Sequence, residues 1–212
     1  LGFSNTVNLA GALTQTNAAT AGTTFGNTVS VGSADLKGTT FAVNNTFGAA
    51  GNIGITNTGT VTVANNADVT ATGGSFAASG NVNLSADVTT TGGNDLTISG
   101  NLVLADNETV TLGTGATGGN VLISGTTDGT DSSNTNTETL VVDAGTGTAT
   151  FTGAVGSAGA ETLEAVTLTN SGALGFSNTV NLAGALTQTN AATAGTTFGN
   201  TVSVGSADLK GT

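Results

Sequence analysis

The chain contains no cysteine, proline, methionine, tryptophan, tyrosine or histidine, and Lys37 and Lys210 are its only cationic residues. Each absence removes a class of chemistry. Without cysteine there are no disulfides, no thiol nucleophile and no Cys-ligated zinc. Without methionine the chain lacks an initiator, and no charged segment followed by an apolar run stands at residue 1, so any targeting signal is expected outside this stretch. Two lysines against 13 acids give a net charge of −11, which repels polyphosphate and argues against nucleic acid as a partner. Without His, Arg, Cys or Tyr there is little to orient a substrate, shuttle a proton or steady developing charge, and no enzyme activity is expected. No run is long and apolar enough to predict a membrane span.

What is present is repetition. Residues 1–39 return without a substitution at 174–212, so the repeat period, 174 − 1, is 173. The 212 residues therefore hold one complete unit and the start of the next. A self-similar chain is read as an array before domains are counted, and residues 1–212 are expected to form one continuous segment. The segment is expected to be a window on a longer tandem array, with Phe3 and Phe176 one unit apart in nearly the same surroundings.

The composition is turn-rich and β-leaning. There are 34 glycines, and with 37% hydrophobic and only 7% charged residues the chain lacks the charge density that keeps a disordered polymer expanded. Stretches such as "TVTVANNADVTATGG" and "GNVNLSADVTTTGG" alternate apolar and polar residues with a period of two. Val61, Val63, Val82, Leu84, Leu102, Leu104, Val110 and Leu112 are predicted to point inward, and Thr60, Thr62, Asn81 and Asn83 outward. Gly-Asn pairs at 26, 51, 80, 100 and 119 and Gly-Gly-Asn at 92 mark corners. Cutting near Gly22, Gly51, Gly74, Gly93, Gly119, Gly147 and Gly172 gives about seven pieces of roughly 19 to 29 residues per unit, the length of one solenoid turn. The predicted fold is all-β, a β-solenoid or parallel β-helix built from tandem repeats. An outer-membrane barrel would carry Tyr and Trp girdles. A pair of immunoglobulin-like sandwiches would show a buried Trp or Tyr and longer apolar strands.

Few residues stand out as sites, and no catalytic, cofactor-binding or metal-binding residue is predicted. "GTGATGG", residues 113–119, matches GxGxxG through Gly113, Gly115 and Gly118, but "NVLISG" then begins a strand where a dinucleotide site needs a helix. "TTDGTDSSNTNTET", residues 126–139, brings Asp128 and Asp131 together among hydroxyls and amides. It lacks EF-hand spacing and reads as a protruding solvated loop, with calcium the one cofactor left open. Glu161 and Glu164 could share a helical turn as a carboxylate pair. Asn44, Asn83 and Asn107 begin Asn-x-Ser/Thr triplets. Asp35 and Lys37 fall on one side of a strand.

The Thr/Asn/Gly-rich stretches "GNVNLSADVTTTGG", "NLVLADNETVTLGTG" and "ETLVVDAGTGTATFTGAVG" resemble the β-strand repeats of filamentous-haemagglutinin-like bacterial surface proteins, which are large exported adhesins. That resemblance implies a right-handed parallel β-helix, an extracellular location at the cell surface, and a stalk or fibre role with tip and anchor elsewhere. It agrees with the repeat itself, since a rod lengthens by copying a segment whose two ends are compatible. The expected partner is the chain itself, through continuous stacking into a filament and through lateral bundling. Two other readings stay open: an adhesive or S-layer-like module that binds carbohydrate, cells or calcium, and an ice-binding solenoid built on ranks of Thr-x-Thr.

Overall fold

The computed structural model describes residues 1–19, 22–130, 137–156, 162–190 and 194–210. It contains strands, bridges and turns and, among the described residues, no helix. The chain winds as a β-solenoid with three faces, and the strands of each face pair in parallel with those of the turns above and below. The first face is built from Gly2–Phe3, Thr23–Phe25, Phe41–Val43, Thr60–Val63, Asn81–Leu84, Leu102–Leu104 and Thr127–Gly129. It continues through single bridges at Val155 to Val180–Asn181 and Val202–Ser203. The second and third faces belong to one large sheet, because Val7–Ala19 and Val29–Gly38 run through the corner between them without a break. Strands such as Val88–Thr90 and Thr139–Asp143 lie on the second face, and Leu96–Ile98, Thr148–Phe151 and Ala173–Phe176 on the third.

Alternation writes this architecture directly. Because side chains in a strand point alternately to its two faces, Val61, Val82 and Leu102 stack in one inward column, and Val63, Leu84 and Leu104 in the next. All eight residues predicted to face inward are buried. Aromatic ladders take the same form: Phe151, Phe176 and Phe198 stack with ring centroids 5.0 and 5.4 Å apart. Full burial of each large apolar side chain contributes ~1.5–3 kcal/mol, but only when the turns on both sides are present to cover it. The interior leaves a void of ≈ 10 Å³ among Phe25, Leu36, Phe41 and their neighbours, about the size of one water probe.

Corners explain the Gly-Asn pairs. At Gly100 a Cβ would stand 2.3 Å from the backbone of Gly80 below it, and at Gly125 it would stand 2.4 Å from the carbonyl oxygen of Gly100, so only glycine lets successive backbones stack this closely. The Asn side chain then caps the next turn: Asn81 Oδ1 accepts from Asn101 N–H at 3.0 Å, and Asn101 Oδ1 from Thr126 N–H at 3.0 Å. Proline, which lacks the N–H such a ladder requires, has no place here. On the corner between the first and second faces, Asn66 (φ 61°) and Asn107 (φ 62°) occupy the left-handed region, which Asn tolerates better than most residues.

Two expectations change. Along the first face the shortest turn runs from Thr24 to Ala42 and the longest from Thr127 to Val155, close to the predicted span. The unit, however, is not seven turns. The first face is met at Gly2 and, seven turns later, at Val155, and Gly175, the counterpart of Gly2, lies two faces further on. The unit is seven and two-thirds turns long. The missed corner is Gly32, where a Cβ would stand 2.5 Å from the carbonyl oxygen of Ala10. It is hidden in sequence because the strand Val29–Gly38 crosses it unbroken. Phe3 and Phe176 consequently lie on different faces, although each stacks on the Phe of the following turn, at 5.2 and 5.4 Å.

Candidate functional site: polar corners and open ends

The glycine-rich "GTGATGG" segment closes a corner between the second and third faces. Gly115 and Gly118 have φ of 75° and 90°, and the buried Thr114 hydroxyl donates to the Gly119 carbonyl at 2.8 Å, which fills the loop from within. The strand Val121–Ile123 follows it. Among the described residues no helix N-terminus faces the corner, so the fingerprint's phosphate-binding geometry is missing there.

The polar stretch 126–139 is not wholly a protruding loop. Thr127 and Asp128 sit in the strand Thr127–Gly129, and both are buried, as is Glu138. Asp131 lies outside the described residues. Glu138 packs against Gly129, where an added Cβ would stand 2.9 Å from its Oε2. Sequence reasoning passed over this acid, yet parity signals it: 138, 140 and 142 share one side of the strand, and Leu140 and Val142 are core residues.

The other candidates are dispersed. Glu164 is exposed at the start of the strand Ala165–Asn170 and next to the bridge Leu163–Leu182, so it belongs to extended chain, while Glu161 lies outside the described residues. Asn44, Asn83 and Asn107 are all exposed, at two corners and on one strand. Asp35 and Lys37 are exposed together on the outward side of Val29–Gly38. Their counterparts form the one ion pair among the described residues, Lys210 Nζ to Asp208 Oδ1 at 2.6 Å.

Asp68, Asp87 and Glu108 line one shallow polar hollow with Asn65 and Asn66 at the corner between the first and second faces. One oxygen of each is engaged within the fold: Asp87 Oδ1 accepts from Thr111 N–H at 2.7 Å, Asp68 Oδ1 from Asp87 N–H at 3.3 Å, and Glu108 Oε1 from the Asn65 side chain. Among the described residues no three acids gather closely enough to hold a metal ion, and no rank of threonines runs the length of a face. The outward file of the first face reads Gly2, Thr24, Ala42, Thr62, Asn83, Val103 and Asp128.

The ends of the stack carry the clearest surface signal. Among the described residues four large apolar side chains are exposed, Leu1 (61%), Leu9 (41%), Val202 (38%) and Leu209 (39%), and all lie in the terminal turns. Each has an identical counterpart one repeat period away inside the stack: Leu174 (2%), Leu182 (4%), Val29 (1%) and Leu36 (1%). The same letter is therefore exposed or buried according to whether a turn covers it.

Compared with family models, curated proteins and solved structures, the chain matches none.

Proposed function

We propose that this chain is a structural, non-catalytic segment of a long rod, the shaft of an extracellular filament or stalk at a bacterial surface. The observation that carries the reading is the pairing of exposed end residues with buried counterparts. Stacking a further unit on either end gives Leu1, Leu9, Val202 and Leu209 the environment their twins already occupy. An array of units is thus one solenoid with a single continuous core, and its length is set by copy number. The narrow, filled interior supports a mechanical role over a ligand-binding one. The resemblance of the Thr/Asn/Gly-rich strands to filamentous-haemagglutinin-like proteins supports export and surface display.

Electron microscopy of proteins carrying one, two and three units tests the reading. Rods of constant width are expected, each unit adding ~37 Å for seven and two-thirds turns spaced ~4.8 Å apart. Beads joined by linkers, or compact particles that thicken with copy number, would sink it.

A further inference from the structure

The fractional turn count has a geometric consequence for any array of these units. We propose that successive copies are related by a screw, each turned one third of a revolution about the rod axis relative to the last, so that the features of one unit appear on all three faces in rotation. This inference rests on the continuous-stack reading above.

Residues 1–39 and 174–212 carry the argument, because the chain contains both the start of one unit and the start of the next. Their internal registers are the same. Gly2 pairs with Thr24 and Gly175 with Thr197; Val7 pairs with Val29 and Val180 with Val202; Leu13 pairs with Ala34 and Leu186 with Ala207. Their faces are not the same. The first-copy strands Gly2–Phe3 and Thr23–Phe25 lie in the file that runs through Thr60–Val63 to Thr127–Gly129. Their counterparts Ala173–Phe176 and Thr196–Phe198 lie in the file of Thr148–Phe151 and Val121–Ile123. Likewise Val7 belongs to the second face, whereas Val180 continues the first through Val155.

The described strands of the copied segment have moved by one face without a change of register among them. Nothing in an inward-facing apolar pair separated by one outward residue distinguishes the three faces, so a segment fits any of them. Phe176 seats on Phe151 on the third face, with centroids 5.0 Å apart, as readily as Phe3 seats on Phe25 on the first, at 5.2 Å. Because register between turns is set locally by corner length, the same offset is added at each further copy. Three units make 23 whole turns, and a given side chain returns to its starting face only after ~110 Å.

The screw decides what a neighbour sees. The acidic corner of Asp68, Asp87 and Glu108 lies between the first and second faces in one unit, between the third and first in the next, and between the second and third in the one after. A rod built this way presents the same negative corner in every direction, and a partner that binds one outward site meets it again along a single face only at every third copy.

The test uses a protein of six units, in which Thr62→Cys is placed in every copy and labelled with a gold cluster. Thr62 is exposed on the first face, and the chain has no cysteine of its own. Cryo-electron microscopy reads the label positions against the three faces of the rod, so gradual twisting of the stack does not enter. Labels are expected every ~37 Å, on the first, third and second faces in turn. A continuous rod with all labels on one face overturns the screw and leaves the structural reading intact, whereas separated beads overturn both. Asn83→Cys, also exposed on the first face one turn later, serves if the first variant folds poorly, and the same sequence of faces is expected.

Discussion

Residues 1–39 and 174–212 are a controlled experiment that the chain performs on itself. The letters are the same, the pairing registers are the same, and the outcomes differ in face, in burial and in strand length. Residues Val29–Gly38 form one ten-residue strand where turns lie on both sides, but their counterparts form only Val202–Ser203 and Ser206–Asp208 at the end of the stack. Polar contacts follow suit. Thr23 Oγ1 donates to Gln15 Oε1 at 3.0 Å, and Thr196 repeats this toward Gln188 at 3.2 Å. Gln15 Nε2 also donates to the Lys37 carbonyl at 2.7 Å, while Gln188 Nε2, buried, has no partner among the described residues. Local sequence sets register and parity. Neighbouring turns decide which side chains are covered, as expected of a quasi-one-dimensional fold, but not strand length: Val7–Ala19 at one end of the stack is unbroken, while its counterparts with turns on both sides form only Val180–Asn181 and Ala185–Gln188.

The sharpest way to break this comparison is to put a charge into a covered column and into an uncovered one. Leu102 lies between Val82 and Thr127, so Leu102→Asp buries an unpaired carboxylate. We expect a loss of about 4 kcal/mol or more, with rapid proteolysis of the surrounding turns. Leu9→Asp, on the open end, is expected to cost under ~1 kcal/mol. Limited digestion and urea unfolding followed by circular dichroism measure both, and an unchanged digestion profile for Leu102→Asp would refute its inward assignment.

A gentler test uses twins alone. Leu182→Ala is expected to cost ~2–5 kcal/mol by opening a cavity, and Leu9→Ala, the same substitution in the same local sequence, under ~1 kcal/mol. Equal losses at low protein concentration would mean that coverage is not what separates the copies. Corners should show the same contrast at about 1–3 kcal/mol. Gly184→Ala forces a methyl to 2.8 Å from the Glu164 carbonyl oxygen, whereas Gly11→Ala, the same substitution one repeat period away, meets nothing within 4 Å and should be close to neutral in thermal unfolding.

Much of this fold is open to reading from the letters alone. The inward positions of Val61 to Leu112 follow from a period of two, and the corners from Gly-Asn pairs, because both are dictated by contacts that recur at every turn. Gly32 escapes because it is followed by serine and not by asparagine and the backbone crosses it in strand conformation, although the change of inward parity from Val29 and Val31 to Ala34 and Leu36 marks the corner. One missed corner is enough to turn seven and two-thirds turns into seven, and with it to lose the change of face between copies. Glu138 and Gln188 are legible by parity, which places each on the inward side of its strand, although acids and amides ordinarily face water. For the surface, sequence reasoning could name exposed asparagines and scattered acids. It could not see that the exposed large apolar residues gather at the ends, because that depends on which turns are covered.

The smallest expected difference concerns Lys37 and Lys210. Within Val29–Gly38 the backbone is held extended by a turn on each side, with Lys37 in register with Thr56, and alternate residues of a strand stand ~6.7 Å apart. At the end of the stack the strand stops at Asp208, and Lys210 is free to turn back and meet that carboxylate at 2.6 Å. The same two letters thus pair in one copy and not in the other. Both side chains are about half exposed, so Lys210→Ala should cost no more than ~0.2–1 kcal/mol at low ionic strength, and less in high salt. Lys37→Ala should fall below even that. When a further unit is appended, residues 206–211 are expected to extend as Val29–Gly38 does, and the Lys210 contribution should vanish with the pair. Urea unfolding of Lys210→Ala in one-unit and two-unit proteins, at low and high salt, measures the change. A salt-sensitive loss of the same size in both would show that the ion pair survives inside the stack, and that an added turn does not straighten the strand.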